Sequence, residues 1–161
     1  MNKKVIIGLG IGCAALCIVL VIAVLIAGGV LIKWGLTKPE NVSISLDAPV
    51  QASKDESVII TVRVENTATE SQLLHSIDIS SQYLDGIAIE EAEPPFSESF
   101  AIPLVDMQSY TFGQDISPGT TLEVRFAGVA VKIGDFAGNF DVCINSGNAC
   151  TTLATRTVID E

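Results

Sequence analysis

The side chains best placed for covalent chemistry in this 161-residue sequence are Cys143 and Cys150, in "DVCINSGNACTT". They flank "NSGN", whose Asn, Ser and Gly are strong turn formers. Both cysteines lie equally far from a turn centred on Ser146-Gly147, so such a hairpin sets them directly opposite each other. Phe140, Val142 and Ile144 then point one way with Ala149, Thr151 and Leu153, and both cysteines point the other way. The expectation is an outward cross-strand disulfide in an oxidising compartment. A structural zinc site needs about four ligands, and this pair has only the distant His75 for company. Cys13 and Cys17 fall inside an apolar run and read as small apolar side chains.

The remaining reactive residue types point away from catalysis. His75, in "SQLLHSIDIS", is the single histidine and reads as a surface or edge residue of a strand. The sequence contains no G-x-S-x-G elbow and no phosphate-binding loop, and "GLGIG" lies within the apolar run. It also lacks the D-x-[DN]-x-[DN]-G pattern of an EF-hand. Asp85, Glu90, Glu91 and Glu93 read as a solvated strand end. Asp135, Asn139 and Asp141, in "GDFAGNFD", read as turn formers rather than cation ligands. No catalytic, cofactor-binding or metal-binding residue is expected, and the chain is not expected to be an enzyme.

Residues 5–32, "VIIGLGIGCAALCIVLVIAVLIAGGVLI", carry no charged side chain. As a helix they reach roughly 42 Å at about 1.5 Å per residue, against a hydrocarbon core of about 30 Å. The apolar part of a secretion signal is shorter, about 7–15 residues, and ends at a small-x-small cleavage site. "KWGLTKPEN" follows here and contains no such site. The reading is an uncleaved transmembrane helix over 5–32, with a cytoplasmic segment at 1–4 and a juxtamembrane linker at 33–40. Lys3, Lys4 and the α-amino group precede it, whereas Lys33 and Trp34 follow it, which places the N-terminus inside. Gly8, Gly12, Ala23 and Ala27 set small residues one turn apart along this helix, a spacing that allows lateral self-association.

Residues 40–161 hold all 19 acidic side chains and five of the nine basic ones, a net charge of −14. Such a domain is repelled by nucleic acid and by anionic headgroups, so its only expected lipid contact is through residues 5–32. From Asn41 onward the apolar residues alternate with period two. Val42, Ile44 and Leu46 share a face, as do Val58, Ile60, Val62 and Val64. Ile77 with Ile79, Ile87 with Ile89, Tyr110 with Phe112, and Leu122, Val124 and Phe126 repeat the pattern. Turn signals separate these runs at "SKDE", "YLDG", "EPPF", "SPG", "IGDFAGN" and "NSGN". The prediction is an all-β antiparallel sandwich of about 7–9 strands over residues 41–159. In "TTLEVRFAGVAVKI" the apolar parity changes at Ala127-Gly128, from even to odd positions. A β-bulge at Gly128, a strand crossing between sheets, or two strands joined by a kink would each absorb that change.

"VIITVRVENTAT", "ISPGTTLEVRF" and "GDFAGNFDVCI" together resemble the Ig-like extracellular modules of bacteria and archaea, the cell-adhesion-related domain type. The matching positions are Val64 and Asn66, Pro118 and Gly119, and Gly134 to Phe136. The resemblance spans residues 41–159 and implies an Ig-like sandwich. Such modules usually occur as repeats, whereas here one stands alone behind an apolar segment. The expected protein is a single-pass cell-membrane protein with an extracytoplasmic Ig-like domain. That domain would bind another protein or an envelope component, or serve in adhesion or envelope structure. The alternative is a pilin-like subunit with an N-terminal assembly helix, although "KKVIIG" is a poor match to a pilin processing site.

Overall fold

Strands with one apolar face must bury that face against a second layer, and two sheets do so here. The computed structural model describes residues 38–161. The expected membrane helix over 5–32 lies outside the described residues, together with Gly8, Gly12, Ala23, Ala27, Cys13 and Cys17. Among the described residues no helix is long and apolar enough to cross a membrane.

The elements are β1 (Val42–Asp47), β2 (Gln51–Ser53), β3 (Ser57–Asn66), β4 (Gln72–Ser80), α1 (Ser81–Leu84), β5 (Ile87–Glu93), β6 (Glu98–Ile102), β7 (Met107–Ile116), β8 (Thr121–Ala130), β9 (Gly134–Ile144) and β10 (Cys150–Asp160). A four-stranded sheet runs β1-β3-β8-β5, and a six-stranded sheet runs β2-β10-β9-β4-β7-β6. The fold is therefore an all-β two-sheet sandwich, with ten strands rather than 7–9. Nor is it wholly antiparallel, since β2 pairs with β10 in parallel.

The core sits between the sheets. Ile60, Val62, Val64, Val124 and Phe126 face Ile77, Ile79, Tyr110, Phe112, Phe140 and Val142 across the interface. Phe126 meets Tyr110 and Phe112 edge-on, with ring centroids 5.3 and 6.0 Å apart. Tyr83 on α1 is fully buried and stands edge-on to Phe140 at 5.6 Å. Its hydroxyl is 2.9 Å from Thr157 Oγ1, which in turn donates to the Pro49 carbonyl at 2.6 Å. A threonine hydroxyl has one proton to give, so Tyr83 is the donor to Thr157. The chain ties α1, β10 and the β1–β2 connection together.

Two expectations about local structure are corrected. "IGDFAGN" is not a turn as a whole: from Gly134 to Asn139 it forms the first half of β9, which pairs with β10 from Gly134 to Cys143. Gly138 occupies that strand because α1 passes over it: a Cβ there would lie 2.7 Å from Tyr83 Cβ and 2.9 Å from Ser80 Cβ. The parity change at Gly128 does not flip β8 either. Its pairing with β3 is regular throughout, and Val124, Phe126, Gly128 and Ala130 all stay buried. The bulge belongs to the partner strand β5, between Ile89 and Glu91. There the Ala88 carbonyl comes so close that a Cβ at Gly128 would lie 2.4 Å from its oxygen. A true parity change occurs in β4, where Leu74 and then Ile77 and Ile79 face the core, with His75 in the register shift between them.

The sandwich has two distinguishable ends. At the near end, the one next to Lys38, the Asn41 carbonyl accepts from the Thr67 amide. The Asn66 side chain there bonds to the carbonyl of Ile116. Ile116 pairs with Gln72, and Ile144 pairs with Leu74, so the β9–β10 hairpin belongs to the same end. At the far end Ser80 pairs with Met107 and Gly134 with Ile159. A ten-residue strand such as β7 separates the two ends by about 30 Å.

Candidate functional site

Cys143 and Cys150 are directly opposite in register and joined by a disulfide. The pairing read from "NSGN" thus appears in the structure, and the two sulfurs sit on the outer face of the six-stranded sheet. Outer does not mean exposed, however. Cys143 is fully covered, and only Cys150 keeps partial access. Cover comes from the neighbouring strand β4, where Ser76 stands opposite Cys143 and is itself buried.

One step along the same face, Asp78 of β4 stands opposite Asp141 of β9. Ser109 on β7 donates its hydroxyl to Asp78 Oδ1 at 2.6 Å. The other oxygen, Oδ2, lies 3.7 Å from Cys143 Sγ. A bridged sulfur has no proton, so this is a contact and not a hydrogen bond. Asp141 Oδ1 is buried and accepts no hydrogen bond from the described residues. Two facing carboxylates fall short of the six to eight oxygens that calcium takes. Among the described residues no three His, Cys, Asp or Glu side chains gather closely enough to hold a metal ion.

His75 occupies the register shift of β4, where Gly113 on β7 takes a positive φ of 61°. Its ring lies against the hairpin turn, since a Cβ on Gly147 would come within 3.4 Å of Nε2. Glu90, Glu91 and Glu93 lie along β5, an edge strand of the four-stranded sheet, and Asp85 caps α1. Asp135 is paired with Arg156, whose Nε donates to Oδ1 at 2.7 Å and holds that carboxyl below the ordinary range. Glu123 is likewise held low, first by Arg125 and then by Arg63. Burial pushes the Tyr83 and Tyr110 hydroxyls up. An open, polar depression lined by Asn41, Thr67, Thr69, Glu70 and Gln72 lies at the near end.

The second feature is a segregation of exposed apolar surface. Among the described residues the exposed large apolar side chains are Val50, Ile59, Phe100, Leu104, Val105, Val131, Ile133 and Val158. Every one lies in the far half. Ile59 is the third residue of β3 counted from that end, and Phe100 pairs with Ser109, two residues from the start of β7. Val50 and Val158 meet at the β2–β10 pairing, where the Val158 amide donates to the Val50 carbonyl. Leu104 is the most prominent, 95% exposed at the tip of the β6–β7 turn, with Val105 beside it at 57%. The sequence reading missed this tip. Its signal is "IPLV", an apolar run set in a turn, where polar residues are the rule. The Asp78–Asp141 pair was missed for another reason: only the β4–β9 pairing, 63 residues apart in sequence, brings the two together.

Fold and site together define a small acidic β-sandwich domain clamped by one terminal hairpin disulfide. No protein-family model matches the chain, and no curated protein does. Several solved β-sandwich chains are similar. The cupredoxin domain of amoB from Nitrosocaldus yellowstonii is 9% identical with a TM-score of 0.49, over 77% of this chain and 90% of that one. The cohesin module of a Clostridium perfringens family 33 glycoside hydrolase is 7% identical with a TM-score of 0.46, over 74% and 97%. The CARDB domain of a Pyrococcus furiosus protein, solved with di-metal ions, is 14% identical with a TM-score of 0.40, over 76% and 93%. Likeness at this level carries no function across.

Proposed function

We propose that this is a single-pass surface protein, held in the cell membrane by residues 5–32 with its N-terminus inside. Its Ig-like sandwich is an extracytoplasmic binding module that contacts a protein or envelope component through the far end. One observation carries the binding reading: the exposed large apolar side chains of the described residues all lie in the half remote from Lys38. An interaction surface needs exposed apolar side chains gathered on one part of a domain. The uncharged run of 28 residues supports the anchor. The Cys143–Cys150 bridge supports an oxidising location.

Topology is tested on whole cells. The chain is expected in the membrane pellet after an alkaline carbonate wash, and external protease is expected to remove an epitope placed after Glu161. Release of the chain by carbonate would contradict the anchor. Protection of the epitope in intact but not in lysed cells would contradict the outside location.

A further inference from the structure

We propose that Cys150 is the sulfur at which thiols and thiol–disulfide oxidoreductases join this chain, and that Asp78 keeps the bridge closed by penalising a thiolate on Cys143. The asymmetry of the bridge motivates the first half. Cys143 is 0% exposed beneath the outer face of β4 and β9, whereas Cys150 opens β10 at the sheet surface and retains access. An attacking thiolate therefore reaches Cys150 Sγ. A new S–S bond forms between the attacker and Cys150 as the Cys143–Cys150 bond breaks, and the electron pair leaves on Cys143 Sγ. A second thiolate then attacks the attacker's sulfur in the mixed disulfide, releasing a disulfide of the two attackers and the Cys150 thiolate. Both cysteine thiolates finally take protons from water.

The second half follows from where that electron pair must go. Exchange slows as the leaving thiol becomes more basic. The Cys143 thiolate would form in a covered position, 3.7 Å from Asp78 Oδ2. Ser109 fixes the carboxylate in place by donating to its other oxygen. Asp141 adds a second carboxylate on the same face. Burial and a neighbouring like charge both disfavour the thiolate. No cationic side chain pairs with these carboxylates among the described residues; the His75 ring lies against Gly147, whose carbonyl is 3.5 Å from Cys150 Sγ. The same arrangement makes the bridge a lasting clamp rather than a redox relay.

The test uses the full chain in detergent with the bridge closed. Glutathione is added, the reaction is quenched with an alkylating reagent, and the peptides are mapped by mass. The expected product carries glutathione on Cys150 and the alkyl group on Cys143, and the reverse assignment overturns the first half. Asp78→Asn is expected to open about tenfold faster than the native chain. Ser109→Ala removes the hydroxyl but keeps the charge, and is expected to open within about twofold of the native rate. An Asp78→Asn rate equal to the native one overturns the second half. So does a Ser109→Ala rate that matches Asp78→Asn, because loosened packing would then account for both.

Discussion

The near and far ends of the sandwich spend their side chains differently. At the near end polar groups close the structure. Asn66 is fully buried; its Nδ2 donates to the carbonyls of Glu70 and Ile116, and its Oδ1 accepts from the Ala68 amide. Its backbone bonds to Gly119 and Thr120. One residue thus ties β3 to the loops that precede β4 and β8, and the disulfide clamps the neighbouring hairpin. At the far end the turns instead leave Leu104, Val105, Val131 and Ile133 in solvent. Unsatisfied buried polar groups cost stability whether or not a partner is present, whereas apolar groups in solvent gain only when something covers them. The contrast separates an end closed by its own hydrogen bonds from one that leaves apolar side chains in solvent, the end proposed here as the contact surface.

The largest expected effect of breaking this contrast comes from Asn66→Ala. It opens a cavity at a fully buried position and takes one donor each from the buried Ile116 carbonyl and the exposed Glu70 carbonyl. It also leaves the Ala68 amide without its side-chain acceptor, although Ser71 Oγ still reaches the Ile116 carbonyl. The change should cost about 3 kcal/mol, read from urea unfolding. A loss below about 1 kcal/mol would mean the near end is not held as described. Replacing Cys143 and Cys150 together by Ala should cost about 2 kcal/mol, because the closed loop is short. The fold should survive that change, with the core signals of Tyr110 and Phe126 intact by NMR. Collapse of the whole spectrum would make the bridge a requirement for folding rather than a clamp.

Acid should act on both ends through exposed ion pairs and therefore weakly. The Glu123 and Asp135 carboxyls are held below their ordinary range in the fold. Their contribution is complete above the unfolded carboxylate range and fades as pH falls through and below it. The melting temperature should therefore drop between about pH 5 and pH 3, and Glu123→Gln with Asp135→Asn should flatten that slope. A steeper slope in the double variant would reverse the sign assigned here. Smallest of all is the effect of Leu104→Ser with Val105→Ser on stability, within about 0.5 kcal/mol, since neither side chain is buried. A large loss would show that the tip packs within the domain.

The sequence carried the sandwich because most strands bury one face, which prints alternation directly into "SVIITVRVEN" and "TTLEVRF". Register in the last hairpin was legible as well, because a turn centre and two equidistant cysteines determine it. β2 and β6 were not legible. They are edge strands of three and five residues, and β6 buries almost nothing, so no alternation is imposed on "ESFAI". Gly134, Gly138 and Asn139 imitate a turn, yet the cause of Gly138 is the passage of α1, a contact between distant segments. The covered bridge beside Asp78 belongs to the same class, since strand order and not local pattern brings β4 against β9.

The claim that the far end is the contact surface is tested most directly by site-specific photocrosslinking in living cells. A photoreactive amino acid is placed at position 104 in one strain and at position 118, in the near-end turn, in another. The account predicts a discrete crosslinked product from position 104 that disappears in a Val105→Ser background, and no such product from position 118. Crosslinking from 118 alone, or equally from both positions, would contradict it.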